Sequence, residues 1–383
     1  MTIAPAVAAG QEHEMSSFTQ GNRRLRVALV GCGQIADAHL QAARRSGVAT
    51  LAAVCDRSPD LARQAAVRFG VPRYYGDFDR MLDGTRPDVV HITTPPETHR
   101  ALLEQAVNAG AHVYVEKPFA LNAAEADEML AMTAARDRLV CVGHDRLFDP
   151  AWTECRERIQ AGVVGRATHL EVFQAYDLDG PFGRLLVTDD RHWVRRLPGG
   201  LFQNTLPHAL ATVAETVLDP RPLVSGTSWS RAPYDFETEL QVLVRGEGTT
   251  ATLTFMTESR PAASYVRVYG TQGWIEVDYD ARATRLRRAT DLPSLVTKLQ
   301  APCATAWESA GTLAHNAYRL LRADLHYFAG MQRLCRLFYG AILDGGRSPI
   351  DAGHIHRTSW LMDAVIDALG GRHELAVEYG TAQ

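Results

Sequence analysis

Two side chains in the sequence are suited to moving a proton near neutral pH, and they lie in separate motifs. Lys117 belongs to the triplet Glu116-Lys117-Pro118, which follows a short apolar run. A lysine that is partly desolvated has a lowered pKa and can then act as an acid or a base. His208 carries an imidazole, which titrates close to neutral pH without any perturbation. Both residues are therefore candidate catalytic groups.

Asn204 lies four positions before His208, a spacing that places two residues on the same face of a helix. We therefore expect both side chains to point into one cleft. The amide of Asn204 donates and accepts hydrogen bonds but carries no charge. It is a candidate for holding a substrate hydroxyl, whereas it cannot stabilise an imidazolium by charge.

A glycine-rich loop precedes these motifs in the chain. Residues 31–36 read GCGQIA, which fits the pattern G-x-G-x-x-G/A, and they directly follow an apolar run. Gly31 permits a tight turn, Gly33 lets a pyrophosphate approach the backbone, and Ala36 lets the next helix lie close to the strand. The helix N-terminus then offers free N–H groups to phosphates. The predicted dinucleotide contacts in this loop are Gly31, Gly33, Gln34 and Ile35.

Asp56 and Arg57 follow the second apolar run and bear on the choice of dinucleotide. Asp56 comes 25 positions after Gly31, near the spacing of about 20 at which an acidic residue binds the adenosine ribose. A carboxylate there favours NAD, because it repels the 2′-phosphate of NADP. The guanidinium of Arg57 can stack on adenine or pair with that phosphate, so NADP stays open.

Strands and helices alternate through the first half of the chain. Near-continuous apolar runs predict strands at residues 25–30, 51–55, 88–93, 111–115 and 139–143. Amphipathic segments between them predict helices at residues 34–46, 60–69, 97–108 and 123–135. This alternation predicts an α/β fold with a parallel sheet covered on both faces. Right-handed crossovers make it a doubly wound Rossmann fold, with Lys117 at the carboxyl end of a strand.

Composition restricts the class of protein further. The chain has 383 residues and a net charge of −4, which suits about two globular domains and argues against a nucleic-acid binder. No apolar run approaches the roughly 18 residues of a membrane span. The six cysteines form no C-x-x-C pair, which favours reduced thiols in the cytoplasm, and no ligand spacing predicts a metal. Residues 1–22 are predicted to be a disordered tail.

Four further motifs make the sequence similar to a known family. They read TTPPETH at residues 93–99, EKP at 116–118, GHDRLFDP at 143–150 and GGLFQNTLPH at 199–208. Together with the glycine loop, they resemble the glucose–fructose oxidoreductase and inositol dehydrogenase family (Gfo/Idh/MocA) over residues 25–369. The resemblance implies a Rossmann domain at residues 23–146 and a second α/β domain at residues 147–375.

In that family the second domain binds substrate and is built on an open, largely antiparallel sheet, which commonly carries the oligomer interface. We therefore expect a homo-oligomer, a dimer or a tetramer, formed through this sheet. The sequence agrees, because strands are predicted at residues 167–175, 224–231, 237–245, 249–256, 265–269 and 274–279. Residues 246–248 are predicted to form the turn of a hairpin.

The resemblance also implies roles for individual side chains. The implied cofactor contacts are Thr94, Pro95, His99, Glu116 and Lys117. The implied substrate contacts are Lys117, Arg146, Trp193, Asn204 and His208. The family often has Asp where Asn204 stands, and this substitution shifts acid–base work toward Lys117 with His208.

These observations predict an NAD(P)-dependent oxidoreductase. It would transfer a hydride between nicotinamide and a secondary hydroxyl, or its ketone, of a sugar, nucleotide-sugar or cyclitol. One alternative is a redox-neutral epimerase, lyase or glycosidase that recycles bound NAD. Another is a non-catalytic regulator that senses dinucleotides.

Residues 282–336 are unusually basic, with nine Lys or Arg and three Asp or Glu. Apolar residues between them occur at roughly helical spacing, which predicts helices packed on the sheet with a solvated basic face. Two other interpretations are a surface that attracts the diphosphate of a nucleotide-sugar and a contact with an anionic membrane.

Overall fold

The first sheet is built from six strands in a computed structural model that describes residues 23–321 and 328–370. They are β1 (Leu25–Val30), β2 (Ala49–Cys55), β3 (Tyr74–Tyr75), β4 (Val89–Ile92), β5 (His112–Val115) and β6 (Val140–Val142). Their order in the sheet is β3-β2-β1-β4-β5-β6, and all pairings are parallel. This is the strand order of the dinucleotide-binding Rossmann fold, so the predicted fold of the first half is confirmed.

Five helices cover the two faces of this sheet. They are α1 (Ala36–Arg45), α2 (Pro59–Phe69), α3 (Phe78–Thr85), α4 (His99–Asn108) and α5 (Ala123–Ala134). Local signals set their ends: the Ser58 side chain caps α2, and Gly70 ends it in a left-handed conformation. The sequence did not predict β3 and α3, because β3 is only two residues long and α3 contains Gly84, a poor helix former.

Seven strands form the second sheet. They are β7 (Ala167–Ala175), β8 (Leu223–Trp229), β9 (Glu239–Arg245), β10 (Thr250–Met256), β11 (Ser264–Gly270), β12 (Gly273–Asp278) and β13 (Ala283–Arg288). Their order is β13-β12-β11-β7-β10-β9-β8. Only the β7–β10 pairing is parallel among them, so the predicted open, largely antiparallel sheet is confirmed. The predicted hairpin turn at residues 246–248 joins β9 to β10, which pair in antiparallel fashion.

Seven α-helices also lie in the described residues of the second half. They are α6 (Pro150–Gln160), α7 (Pro181–Thr188), α8 (Gly200–Thr205), α9 (Pro207–Thr216), α10 (Ser294–Leu321), α11 (Ala329–Asp344) and α12 (Ala352–Gly370). Short 3-10 helices lie at Pro96–Thr98, Asp145–Phe148 and Trp193–Arg196. Helices α11 and α12 return to the first sheet: Tyr339 on α11 hydrogen-bonds His91 on β4 at 2.7 Å, and Asp363 on α12 accepts the Ala123 N–H at 2.8 Å.

The basic region differs from its predicted form. Its first part is strand β13, where Arg285 pairs with Glu276 and Arg287 pairs with Glu308. Its longest helix, α10, lies against strand β13 through polar contacts such as Glu308 with Arg287. It has no buried residue, so its apolar residues do not pack on the sheet as predicted. The spacing of its apolar residues gave a wrong prediction of burial, because these residues face outward. Trp307, for example, is 82% exposed. Residues 1–22, 322–327 and 371–383, which include the predicted tail and part of this region, lie outside the described residues.

Candidate active site

A cavity of about 530 Å³ opens at the carboxyl ends of the parallel strands, where open α/β sheets bind their ligands. One end is lined by the glycine loop and by the ends of β2, β4 and β5. The other end is lined by α7, α8 and the 3-10 helix at Trp193–Arg196. The predicted site residues that line it are Gly31, Gly33, Gln34, Ile35, Asp56, Arg57, Thr94, Pro95, Glu116, Lys117, Trp193 and Asn204.

The glycine loop has the geometry that its sequence predicts. Gly31 has a φ of +97°, and a Cβ there would lie 2.8 Å from the Thr93 carbonyl, so no other residue fits. A Cβ on Gly33 would meet open space, which is the space that a pyrophosphate needs. Helix α1 begins beside it without a side-chain cap, so the positive end of the helix dipole lies next to the space where phosphate oxygens would bind.

Asp56 is held in place by two backbone N–H groups. Its Oδ2 accepts from Cys32 at 2.7 Å and its Oδ1 accepts from Ser58 at 2.8 Å. The carboxylate therefore connects the glycine loop to the start of α2 and stays at the cavity edge. Arg57 is exposed next to it and also lines the cavity. These residues fit the adenosine end of a dinucleotide.

The loop at residues 94–99 brings Thr94 and Pro95 to the cavity but not His99, which corrects the prediction for that histidine. The His99 ring is fully buried, and its two nitrogens lie 2.8 Å and 3.2 Å from the carbonyl oxygens of Thr94 and Phe119. Burial lowers the pKa of His99. His99 therefore fixes the backbone of the loop and lies outside the cavity lining.

Glu116 begins a buried chain of hydrogen bonds. Its Oε1 lies 2.9 Å from His39 Nε2, His39 Nδ1 lies 2.8 Å from His91 Nδ1, and His91 Nε2 lies 2.7 Å from the Tyr339 hydroxyl. Because His39 and Lys117 hold the pKa of Glu116 below its usual range despite burial, the carboxylate is ionised and accepts. Tyr339 then donates to His91, His91 to His39, and His39 to Glu116. The chain orients Glu116, whose Oε2 accepts the Lys117 N–H at 3.1 Å.

Lys117 projects from the end of β5 into the cavity. Its Nζ donates to the backbone carbonyl of Asn204 at 3.0 Å, which bridges the two halves of the chain. Burial lowers the pKa of Lys117, whereas the carboxylates of Glu116 and Asp145 oppose that shift. The Lys117–Pro118 peptide bond is cis. An ammonium with a lowered pKa at this position is suited to proton transfer.

Asn204 and His208 do not share one helix. Asn204 lies on α8 and His208 on α9, because Pro207 has no N–H with which to continue the helix. Asn204 lines the cavity, but His208 does not and lies behind that surface. Burial lowers the pKa of His208 well below its usual range, and the nearby cations Lys117 and Arg146 lower it further.

Asp145 is the residue that sequence reasoning missed. Its Oδ1 lies 3.4 Å from Nδ1 of His208, so a carboxylate reaches the imidazole although position 204 carries none. Burial raises the pKa of Asp145 to about 7, and the negative charge of Glu116 contributes to the shift. The signal was within the motif GHDRLFDP, but only the fold brings Asp145 to α9.

Arg146 lies outside the cavity lining, which corrects its prediction as a substrate contact. Its Nη1 donates to Ser264 Oγ at 3.0 Å, and its guanidinium lies 5.2 Å from the centre of the Tyr279 ring. These contacts attach the 3-10 helix at Asp145–Phe148 to the second sheet.

The substrate end of the cavity has an apolar wall formed by Tyr176, Phe182, Leu185, Leu186 and Trp193. Its polar groups are Lys117, His192 and Asn204. Phe182 and Leu185 come from α7, which the sequence did not predict. An apolar wall facing a few polar groups is typical of a site that orients a small amphipathic ligand.

Comparison with known proteins identifies the family. Residues 25–144 match the oxidoreductase family with an NAD-binding Rossmann fold, and residues 152–276 match the GFO/IDH/MocA C-terminal domain. The chain belongs to the Gfo/Idh/MocA family. The resemblance stated from the motifs is therefore confirmed, and so is the prediction of NAD as the dinucleotide of its Rossmann domain.

Individual relatives cover different parts of the chain. D-apiose dehydrogenase of Paraburkholderia graminis is 33% identical over 39% of this chain and 40% of its own length. A dTDP-3,4-didehydro-2,6-dideoxy-alpha-D-glucose 3-reductase of Streptomyces violaceoruber is 28% identical over 92% of this chain and 98% of its own. Levoglucosan dehydrogenase, solved with NADH and levoglucosan, has a TM-score of 0.74 at 18% identity over 91% of this chain and 97% of its own, which shows a shared fold.

Proposed function

We propose that the protein is an NAD-dependent dehydrogenase or reductase that acts on a secondary hydroxyl, or the corresponding ketone, of a sugar-like substrate. The position of Lys117 carries this proposal: its Nζ reaches the cavity between the dinucleotide end and the apolar wall, anchored on the Asn204 carbonyl. When bound, NAD supplies the hydride acceptor at C4 of its nicotinamide. The chain itself orients the substrate and takes up the hydroxyl proton.

Gly31, Gly33 and the N-terminus of α1 would bind the pyrophosphate, and Asp56 would bind the adenosine ribose. The fixed carboxylate of Asp56 supports NAD over NADP, because a 2′-phosphate would face that charge. Lys117 would hold the reacting oxygen and exchange its proton with the groups behind it. A redox-neutral reaction that recycles bound NAD needs the same residues. It differs from a dehydrogenase or reductase reaction in that substrate is converted without net formation or consumption of NADH.

The apolar wall bears on the kind of sugar. Phe182, Leu185 and Leu186 offer no hydrogen bonds, so they suit carbons that lack hydroxyl groups, whereas Trp193 suits the C–H face of a ring. A relative that matches 92% of this chain is named for a dTDP-linked dideoxy sugar. We therefore include deoxysugars and their nucleotide derivatives beside sugars and cyclitols as the first substrates to test.

We also propose a homo-oligomer in the cytoplasm. Residues along β7 alternate between the buried face of the second sheet and a face that stays partly exposed. On the partly exposed face the rings of Phe173 and Tyr265 stack, which supports an interface with a second copy. The six cysteines are all free thiols, which supports a reducing compartment. No helix in the described ranges has the length and apolar character needed to cross a membrane.

The first experiment compares wild type with Lys117→Ala and with Lys298→Ala, the matched control, whose lysine lies exposed on α10. NADH binding is followed by fluorescence and turnover by nicotinamide absorbance on the substrates named above. We expect all three proteins to bind NADH, and Lys117→Ala to lose turnover by about 10²- to 10⁴-fold. Equal turnover of Lys117→Ala and wild type would overturn the assignment of Lys117. Substrate conversion without net NADH would favour the redox-neutral alternative, and dinucleotide binding without any turnover would favour a regulator.

A further inference from the structure

Asp145 and His208 come from different parts of the chain and meet directly behind the Lys117 side of the cavity. Asp145 begins the 3-10 helix at Asp145–Phe148, which follows β6, and His208 lies in the first turn of α9. Helix α11 packs against that 3-10 helix, and Gly330 makes this contact possible. A Cβ on Gly330 would lie 2.1 Å from the Asp145 carbonyl oxygen.

His208 has an unmet hydrogen-bonding need. Its Nδ1 is buried without a hydrogen-bond partner, and Asp145 Oδ1 lies 3.4 Å away. A movement of a few tenths of an ångström would bring this pair within ordinary hydrogen-bond distance. A buried polar atom left this close to a carboxylate indicates a contact that forms when a proton is present.

We propose that Asp145 is the positioning residue of His208: its carboxylate shares one proton with the imidazole and stabilises the imidazolium when His208 takes up a proton from the site. This inference rests on the proposed function, in which the hydroxyl proton leaves the substrate through Lys117. Asp145 would thereby supply the charge that Asn204 lacks.

The charges around the pair fit such sharing. The charged or titratable groups that interact with Asp145 are Tyr114 on β5, Glu116 and Lys117 just after β5, Arg146 in its own turn, His39 on α1 and Cys335 on α11. Those acting on His208 are Lys117, Arg146 and His144. Burial and the charge of Glu116 raise the proton affinity of Asp145, and burial and the nearby cations lower that of His208, so below about pH 7 the shared proton resides mainly on Asp145. Loss of that proton above pH 7 leaves a carboxylate facing the imidazole.

The decisive measurement needs no substrate. His208 is followed by NMR in the full-length chain labelled at histidine, with its signals assigned by their loss in His208→Gln. We expect a transition of the His208 signals near pH 7 in wild type, because the two coupled groups titrate as a pair. Asp145→Asn should abolish that transition, Asp145→Glu should keep it at a shifted pH, and Asp149→Asn, a control four residues along, should leave it unchanged.

Identical His208 titrations in wild type and Asp145→Asn would overturn the proposal, whatever the enzyme turns out to catalyse. If Asp145→Asn did not fold, Asp145→Glu would be sufficient for the test. An unchanged pH midpoint of the His208 transition in Asp145→Glu would contradict a proton shared by the two groups. A second readout uses any substrate found above: the rise of kcat through pH 7 should disappear in Asp145→Asn, with kcat lowered about 10²-fold and KM unchanged. If the NMR transition is lost in Asp145→Asn but wild type shows no dehydrogenase activity, the Asp145–His208 pair is established and the proposed function is wrong.

Discussion

Two polar pairs link the segment after β6 to α9, and they differ in how completely their hydrogen bonds are met. Arg156 on α6 donates to Glu215 on α9 at 2.8 Å, and Trp152 Nε1 donates to the other Glu215 oxygen at 2.9 Å. Asp145 and His208, seven positions earlier on α9, approach only to 3.4 Å. A charge whose partners are all in place holds the fold together, whereas one with an incomplete set is available to a proton or a ligand.

The largest effect that this comparison predicts is the loss of stability caused by Glu215→Gln. Arg156 is buried, and the change leaves its charge without a carboxylate, so the free energy of unfolding should fall by about 3–5 kcal/mol. Urea unfolding of wild type and variant measures it. Glu97→Gln is the control, because Glu97 forms an exposed pair with Arg196 that contributes only about 0–1 kcal/mol. Equal losses in the two variants would remove the distinction between the satisfied pair and a surface pair.

The hydrogen-bonded chain from Tyr339 to Glu116 is also complete, but it ends beside the cavity. It tests whether a complete set of hydrogen bonds stabilises the fold even next to the site. In His91→Phe the new ring can keep the stacking on Tyr114, which lies 4.7 Å from His91, but His39 and Tyr339 each lose a partner. We expect the free energy of unfolding to fall by about 2–3 kcal/mol. Denaturant melts of His91→Phe, Tyr339→Phe and the double variant check it.

Tyr339→Phe removes only one bond of that chain and should cost less than His91→Phe. The free energy of unfolding lost in the double variant should be less than the sum of the losses in the two single variants, since both substitutions break the same bond. Strict additivity would contradict a connected chain from Tyr339 to Glu116.

The same contrast explains what the sequence could and could not predict. The glycine loop, Asp56 and Lys117 are local: each follows a predicted strand directly, so a correct set of strands places them at the carboxyl edge of the sheet. Asp145 and His208 meet only because α9 packs against the turn after β6, which is a tertiary contact with no local pattern.

The errors in the sequence prediction have the same origin. His99 and Arg146 were assigned to the cleft by motif, yet the fold turns one toward carbonyl groups and the other toward the second sheet. The apolar residues of α10 were predicted from their spacing to pack on the sheet, but they stay exposed, because periodicity gives a helix face and not the surface that it meets.

The smallest predicted effect has the opposite sign and depends on pH. The pKa of Asp145 is raised to about 7 in the fold, above its ordinary value of 3.8, so the unfolded chain loses this proton first and stability falls as pH rises from 4 to 7. Asp145→Asn escapes that loss. Its stability should match wild type near pH 4 and exceed it by about 1 kcal/mol at pH 8, well below the roughly 4 kcal/mol of the full shift, because Lys117 and Arg146 lose a counter-charge. Urea melts at pH 4, 6 and 8 give this difference. A variant less stable than wild type at pH 8 would mean that Asp145 belongs with Glu215 among the groups that hold the fold, and the comparison between the two pairs would fail.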